Sequence, residues 1–219
     1  GGTIVTNDDA NKTEKEIYKE SNLTEILKFC NENGISLYEY VFNHEGEELL
    51  NYLKNVLKTM DDAIARGRSA SGVLPGSLKV KRKAKDMFEK TQTISDDFNK
   101  IELLVSVSSF AVSEENASGG VVVTAPTCGS SGVIPGVITY LRLKNYSEDK
   151  IIEGLAVAGL IGKIIKENAT VSGAVGGCQA EIGAASSMGA ALMMHVYSAS
   201  NEKIAQAAEM ALEHSLGLT

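Results

Sequence analysis

The sequence has no tryptophan, only three cysteines and three prolines, and no apolar run long enough to span a bilayer. Lys or Glu interrupts every candidate span, and residues 1–21 are polar and charged, without the apolar core of a secretory signal. The three cysteines lie 98 and 50 residues apart, which makes a poor disulfide framework. These absences predict a protein of the reducing cytoplasm that has no membrane span.

The short motifs that mark common catalytic and metal sites are also missing. There is no Cys-x-x-Cys or His-Glu-x-x-His spacing, no Walker loop and no nucleophile elbow. No lysine stands in a setting typical of pyridoxal-phosphate enzymes. The sequence therefore predicts no zinc site of standard spacing and no pyridoxal phosphate.

Charge argues against nucleic acid as the main partner. The net charge is −7 and the isoelectric point is near 5.1, whereas nucleic-acid-binding domains are usually basic. One basic cluster occurs, and no aromatic residues surround it. We interpret it as a solvated helix face, with a docking surface for an acidic partner as the alternative. Its members are Lys79, Lys81, Arg82, Lys83 and Lys85.

Apolar residues recur at helical spacing along most of the chain, which predicts a mainly α, single all-helical domain. Ser21 or Asn22 would cap the first helix and Gly34 would end it. Gly67 would end the second helix, and Ser95 would cap the fourth. The predicted helices cover residues 23–33, 47–66, 78–91, a segment after 95, 133–144, 148–167, 173–198 and 202–216.

The second half of the chain changes character, because charges thin out and small residues recur. Ser147 and Ser200 would cap helices there, Gly217 would follow the last one, and residues 121–123 form the only convincing strand-like run. Each interior glycine costs a helix ~1 kcal/mol relative to alanine, so tertiary packing must offset the loss. We therefore expect a central, buried helix that carries Gly173, Gly176, Gly177, Ala180, Gly183, Ala184, Ser187 and Ala191.

Three loops combine small hydroxyl or amide side chains with glycines: residues 69–76, 114–132 and 171–181. Such loops leave backbone N–H groups free and hold carboxylates or phosphates, above all where a helix N-terminus follows. Turn formation alone is the competing explanation. For three loops in one chain, the two explanations are equally good.

The isolated cysteine and histidine residues do little to decide between an anion-binding site and simple turns. Cys178 stands at a glycine-rich helix start, where the helix dipole favours a thiolate, although an isolated cysteine is more often a small buried hydrophobe. Cys30 fits that second description. His195 and His214 lie in helical segments, where either could be a satisfied core histidine. The residues by themselves indicate a small-anion site, with a thiol as an optional participant.

Three stretches read together resemble the α chain of bacterial iron–sulfur L-serine dehydratases. They are residues 113–136 (SEENASGGVVVTAPTCGSSGVIPG), 168–191 (NATVSGAVGGCQAEIGAASSMGAA) and 213–219 (EHSLGLT), and the loop 71–76 (SGVLPG) fits as well. Long blocks match in the right order. The likeness runs from about Leu23 to the end of the chain, which makes it far more specific than a single short motif.

The resemblance implies a reaction in which L-serine loses water and ammonia and gives pyruvate. It implies an oxygen-sensitive [4Fe–4S] cluster in place of pyridoxal phosphate, held by three cysteine thiolates, with one iron open as a Lewis acid. A general base would remove the α-proton, and hydroxyl and backbone donors of the loops would hold the substrate carboxylate. It also implies a β portion as partner, in a second chain or in the same one.

Carried over residue by residue, the resemblance makes Cys178 one cluster ligand. In the family, the segment that matches residues 213–219 runs directly into Cys-Asp-Pro, so the other two cluster cysteines are expected beyond Thr219. This 219-residue chain is therefore expected to be cluster-free and inactive, with residues 1–21 as a linker or extension and 22–219 as the incomplete catalytic domain.

Other positions are expected to face the substrate. Glu181 and His214 are the candidates for near-site catalytic roles, and Cys128 is expected to form an active-site wall. The expected substrate-binding residues are Ser71, Gly72, Asn116, Ser118, Gly119, Gly120, Thr124, Thr127, Cys128 and Gly129.

Two rival functions stay open at this point. A lyase of the same architecture could act on L-cysteine or another small amino acid, because the loops would bind the backbone that these substrates share. The second rival function is that of a non-catalytic binding subunit, in which the glycines serve only helix packing. A homo-oligomer is a further option that the sequence does not decide.

Overall fold

The computed structural model describes residues 17–216. Within this range the chain forms nine α-helices and no β-strand, which confirms the prediction of a mainly α, single all-helical domain. No described helix is both long and apolar enough to cross a membrane. The helices are α1 (Leu23–Asn33), α2 (Leu37–Glu45), α3 (Glu48–Ser69), α4 (Ala84–Thr91), α5 (Asp97–Ala117), α6 (Val133–Leu143), α7 (Glu148–Asn168), α8 (Gly173–Val196) and α9 (Asn201–Glu213).

Local capping sets several helix ends where the sequence predicted them. The Asn22 side chain accepts a hydrogen bond from the Glu25 N–H at 3.0 Å and caps α1. Gly34 adopts the left-handed conformation, with φ of 63°, that ends this helix. Ser147 and Ser200 cap α7 and α9. These ends are confirmed because a cap depends on residues within one turn of the helix.

One predicted cap is wrong, and one helix was not predicted. Asp96, and not Ser95, caps α5 by accepting from the Asn99 N–H at 2.7 Å. Helix α2, which is only nine residues long, was absent from the predicted helices. A capping box between Ser36 and Glu39 starts it, so the signal was present but belonged to a helix too short to show a clear apolar period.

Gly67 does not end the second predicted helix. The helix continues through it to Ser69, and Gly67 is buried where α3 crosses α5. A Cβ at this position would overlap the carbonyl oxygen of Ala111 and lie 2.7 Å from the Ala111 Cα. The glycine therefore allows the backbones of two helices to come close together. A glycine with this role cannot be told from one that ends a helix by sequence alone.

The helix predicted over residues 78–91 begins only at Ala84. Before it, the chain turns back on itself, and the Leu74 N–H donates to the Val80 carbonyl at 2.8 Å. Lys79 lies in the turn with φ of 53°, a left-handed conformation that is incompatible with a helix. Residues 72–82 therefore form a short hairpin-like loop, called the 72–82 loop below.

The central position of the glycine-rich helix is confirmed for its second half. Helix α8 packs against α6, α7 and α9, and Gly183, Ala184, Ser187 and Ala191 are buried. The first part of α8 differs from the expectation, because residues 174–178 are exposed. Close packing against other helices of the described chain therefore does not explain the small residues in this part of α8.

Some predictions concern the ends of the chain. Residues 1–16 and 217–219 lie outside the described residues, and with them most of the predicted linker, Gly217 and Thr219. The expectation that two cluster cysteines follow Thr219 in the complete protein therefore stays a prediction. Helix α9 ends at Glu213, before the predicted end at residue 216.

Two shorter segments carry further predictions. Within the described part of the predicted linker or extension, Tyr18 is buried and its hydroxyl donates to Glu45 Oε1 at 2.8 Å. This part of the segment therefore packs against α2, and the assignment of residues 1–21 as a linker or extension stays a prediction. Residues 121–123, predicted to be strand-like, pair with no strand in the described range.

Candidate functional site

A cluster of two arginines and two glutamates joins the first two glycine-rich loops. Arg66 Nε donates to Glu115 Oε2 at 3.0 Å, and Arg82 Nη1 donates to Glu115 Oε1 at 3.4 Å. The Arg82 and Glu114 side chains are 11% and 5% exposed, with Nη1 and Oε2 3.9 Å apart. Removing one partner of a buried ion pair leaves a charge away from water, which is costly. The cluster therefore ties together α3, the 72–82 loop and α5.

Arg82 contacts both of these loops directly. Its backbone N–H donates to the Gly72 carbonyl at 2.9 Å, and its Nη2 donates to Ser118 Oγ at 2.6 Å. The interpretation of the basic cluster as a solvated helix face is therefore wrong for Arg82, whose charge is matched inside the protein. It is also wrong for Lys79 and Lys81, which lie in the 72–82 loop and not on a helix.

Glu114 caps a helix that is distant in sequence. Its Oε1 accepts from the backbone N–H groups of Lys83 at 2.5 Å and Ala84 at 3.2 Å, which begin α4. A carboxylate at a helix N-terminus is favoured by the free N–H groups and by the helix dipole. Its Oε2 is buried without a hydrogen-bond partner in the described chain. The orientation of α4 thus depends on a side chain of α5.

The segment 118–120 uses its donors within the chain. Its three N–H groups donate to carbonyls at the end of α5 over distances of 2.8–3.1 Å. The Ser118 hydroxyl donates to the Glu114 carbonyl at 2.8 Å and accepts from Arg82. The Asn116 side chain makes no hydrogen bond with any described residue. Among the predicted substrate residues in this stretch, Asn116 is therefore the one with a free polar side chain.

The loop before α6 has a closed part and an open part. Thr127 Oγ1 and Ser130 Oγ are 3.1 Å apart, and Ser130 Oγ also donates to the Ala125 carbonyl at 3.2 Å. Cys128 and Gly129 are exposed, and their N–H groups make no backbone hydrogen bond within the described chain. These two amides stand just before a helix N-terminus, so they can receive an anionic group.

The third glycine-rich loop meets this open part through Glu181. A Cβ on Gly129 would lie 3.1 Å from both carboxylate oxygens of Glu181, and a Cβ on Gly173 would lie 2.7 Å from Oε2. Helix α8 is interrupted at Gly177, with φ of 73° and ψ of 177°. Cys178 is exposed directly after this break, one turn before Glu181 and on the same side of the helix. Glu181, Gly129 and Gly173 are thus in one place, with Cys178 beside them.

Other predicted site residues are less engaged. The side chains of Ser71 and Thr124 are exposed and make no hydrogen bond within the described chain. His214 is exposed at the end of α9, where its Nδ1 lies 2.9 Å from the Met210 carbonyl. None of these three side chains makes a hydrogen bond with Glu181 in the part of the chain that the structure describes.

Two residues behave as ordinary core groups. His195 Nε2 lies 3.1 Å from Glu153 Oε2, so this histidine is satisfied within the core, as its helical position suggested. Burial raises the pKa of Glu153, but hydrogen bonds from Lys150 and His195 outweigh it and leave that pKa lowered. Cys30 is fully buried, and desolvation, followed by the nearby negative charges, raises the pKa of its thiol to about 11.

Comparison with known proteins bears directly on this site. The model of the family described as "Serine dehydratase alpha chain" matches residues 3–219. The chain belongs to this family. The L-serine dehydratase of Haemophilus influenzae is 39% identical over all of this chain and 51% of that protein. L-serine dehydratase 1 of Escherichia coli is 40% identical over 92% of this chain and 47% of that protein, and the Streptomyces coelicolor protein named L-serine dehydratase is 36% identical over 100% and 51%.

The chain therefore spans about half the length of the curated L-serine dehydratases that it matches. Their names imply lyase chemistry for the family. The matched region includes all three glycine-rich loops and both exposed cysteines. Membership of the serine dehydratase family thus rests on the whole length of the chain and not on one motif.

The described residues do not by themselves make a metal site. No group of three His, Cys, Asp or Glu side chains is placed to hold a metal ion within residues 17–216. Cys30 lies in the core and is unable to join Cys178. Cys128 and Cys178 are the exposed thiols of the described part of this serine dehydratase chain, and two thiols are too few for a cluster that three thiolates hold.

The three cysteines are expected to differ sharply towards a thiol reagent. The thiolate is the reactive form, and Cys128 and Cys178 are exposed whereas Cys30 is buried with a raised pKa. Titrating the native chain at mildly alkaline pH with a chromogenic disulfide should modify two thiols quickly. The third should react only after unfolding or as the pH approaches 11. Equal reactivity of all three would contradict this placement of Cys30.

Sequence reasoning missed the cluster formed by Arg66, Arg82, Glu114 and Glu115. The two glutamates were quoted only as part of a matching block, and Arg82 only as one of a run of cations. A weak signal existed, since a Glu-Glu pair at the end of an apolar helix is unusual for a buried position. Nothing in the sequence pairs it with arginines 33 and 49 residues away.

Proposed function

We propose that the chain is the α portion of an L-serine dehydratase, which converts L-serine into pyruvate and ammonia with a [4Fe–4S] cluster. The observation that supports this most is the meeting of Glu181, Gly129 and Gly173 beside Cys178, in a chain that belongs to the serine dehydratase family. The relatives named L-serine dehydratase are 36–40% identical to it. We also propose that the enzyme is cytoplasmic, because its few and widely spaced cysteines fit a reducing compartment.

The geometry fits a small zwitterionic substrate. The free amides of Cys128 and Gly129 suit a carboxylate. The side chains of Ser71, Thr124 and Asn116 are further polar groups that make no hydrogen bond within the described chain. The remaining predicted substrate residues would act mainly by holding these loops in shape. Glu181 and His214 stay the candidates for near-site catalytic roles.

Cys178 would contribute one thiolate to the cluster, and Cys128 would line the site. The described residues do not supply the other two ligands, which we assign to the part of the complete enzyme that follows Thr219 and that this chain does not span. The β portion would come from the part that this chain does not span or from a second chain, and would close the site from the other side.

The 219-residue chain alone is accordingly expected to hold no cluster and to form no pyruvate. One thiolate does not retain a cluster that needs three. Iron and sulfide are analysed after anaerobic reconstitution and gel filtration of the isolated chain. Stoichiometric retention of a [4Fe–4S] cluster by this chain would refute the ligand assignment.

The activity itself is tested on the complete enzyme, with its β portion, purified and reconstituted without oxygen. Pyruvate formation is measured with L-serine and with L-cysteine, because the loops would bind the part that both share. A preference for L-serine supports the proposal, whereas a preference for L-cysteine assigns the chain to a related lyase. A folded, cluster-containing complex that is inactive on both would support a binding subunit.

A further inference from the structure

The carboxylate of Glu181 is held in an unusual place for a charged group. It lies against the backbone of Gly129 in the loop before α6 and of Gly173 at the start of α8. A Cβ on Gly173 would stand 2.7 Å from Oε2 and force the carboxylate to shift, whereas a Cβ on Gly129 would be in tight contact with both oxygens at 3.1 Å. Glycine at both positions thus leaves room for the carboxylate at the junction of the two loops.

Glu181 differs from Glu114 and Glu115 because no cationic side chain among the described residues is paired with it. Glu115 is paired with Arg66 at 3.0 Å and with Arg82 at 3.4 Å, and Glu114 caps α4. Glu181 is half-buried and makes no hydrogen bond or ion pair with any residue between 17 and 216. A partly desolvated carboxylate without a partner is disfavoured, and a cationic ligand would relieve this.

Free donors lie beside this carboxylate. The N–H groups of Cys128 and Gly129 donate to no backbone carbonyl in the described chain, and Gly129 is one of the two glycines against which Glu181 lies. One small region therefore offers donors for a negative group and an acceptor for a positive group. An α-amino acid carries both, with its carboxylate and ammonium on one carbon.

We propose that Glu181 binds the α-ammonium of the amino-acid substrate and thereby makes the site select amino acids over hydroxy acids. This inference rests on the proposed function, because it assumes that the substrate carboxylate occupies the amides of Cys128 and Gly129. It gives Glu181 a role in binding, in place of proton abstraction.

The test uses the complete reconstituted enzyme and two ligands that differ at one group. L-serine has an ammonium where L-glycerate has a hydroxyl. In E181Q, KM for L-serine should rise ~10- to 100-fold, the range expected for the loss of a charged hydrogen bond. The inhibition constant of L-glycerate should change little, since its neutral hydroxyl can donate a hydrogen bond to the amide oxygen of Gln as well as to the carboxylate of Glu. kcat should change much less than KM.

Other outcomes overturn the proposal. A large loss of kcat with unchanged KM would make Glu181 the general base, and parallel changes for both ligands would make its role structural. E181D keeps the charge and should recover part of the affinity for L-serine. If E181Q does not fold, E181D supplies the test, and equal weakening of both ligands in it counts against the proposal.

Binding without turnover separates this inference from the proposed function. Calorimetry compares L-alanine with L-lactate, which differ in the same way and have no β-hydroxyl to lose. If the wild-type enzyme does not turn over L-serine, the proposed function fails. A selective loss of L-alanine affinity in E181Q would still support the role of Glu181, and an equal affinity of the wild type and E181Q for L-alanine would refute it.

Discussion

The Cys178→Ala variant of the complete enzyme is expected to lose its cluster and with it essentially all pyruvate formation from L-serine. Cys178 is exposed directly after the break at Gly177, where helix α8 restarts, and free N–H groups at a helix start stabilise a thiolate. A metal ion that stabilises charge in a transition state contributes several kcal/mol, so activity should fall by ~10³-fold or more. Iron content and anaerobic pyruvate formation are measured on the same sample.

Cys128→Ala is the matched control for iron content. Both thiols are exposed and both lie in glycine-rich segments, but only Cys178 is assigned as a ligand. The Cys128 variant should therefore retain its iron and sulfide. Equal iron loss in the two variants would show that the assignment does not distinguish them, and full iron retention by Cys178→Ala would remove Cys178 from the ligand set.

Replacing Gly67 with alanine should destabilise the fold, even though alanine is the better helix former. The new Cβ would overlap the Ala111 carbonyl oxygen and lie 2.7 Å from the Ala111 Cα, and these backbone atoms of α5 are unable to rotate away. Overpacking of this kind costs ~1–3 kcal/mol or more, against ~1 kcal/mol gained in helix propensity. We expect a net loss of ~2 kcal/mol, or ~4–8 °C in Tm for a chain of this size.

Gly159→Ala is the control with the opposite sign. Gly159 lies inside α7, is exposed, and has no atom within 4 Å of its Cβ position. Alanine there should gain up to ~1 kcal/mol, or ~2–4 °C in Tm. Urea or thermal unfolding of both variants measures the pair. Stabilisation by both substitutions would mean that α3 and α5 are further apart than this structure has them.

These two glycines illustrate which parts of the fold were predictable. Both stand in helical sequence, and propensity alone treats them alike. Asn22 and Gly34 were placed correctly because caps act over one turn of backbone. Gly67 was misplaced because its role depends on Ala111, a residue of another helix.

The candidate site shows the same division. The glycine-rich loops and Cys178 stood out in the sequence, and the matching blocks identified the family. That Glu181 reaches Gly129, 52 residues away, required the packing of α8 against α6. The segment around Ser118 was expected to offer free donors, yet its hydroxyl and amides are used to end α5 and to receive Arg82.

The sequence by itself determined the mainly helical architecture, most helix ends, the small-residue character of α8 and the family. Periodicity, capping and ordered motif blocks are all local, so they can be read along a chain. Only the tertiary structure decided that Arg82 pairs with Glu115 and Ser118, and that Glu181 faces two glycines. Charge pairing and close backbone approach depend on which helices meet, and residues distant in the chain meet only through packing.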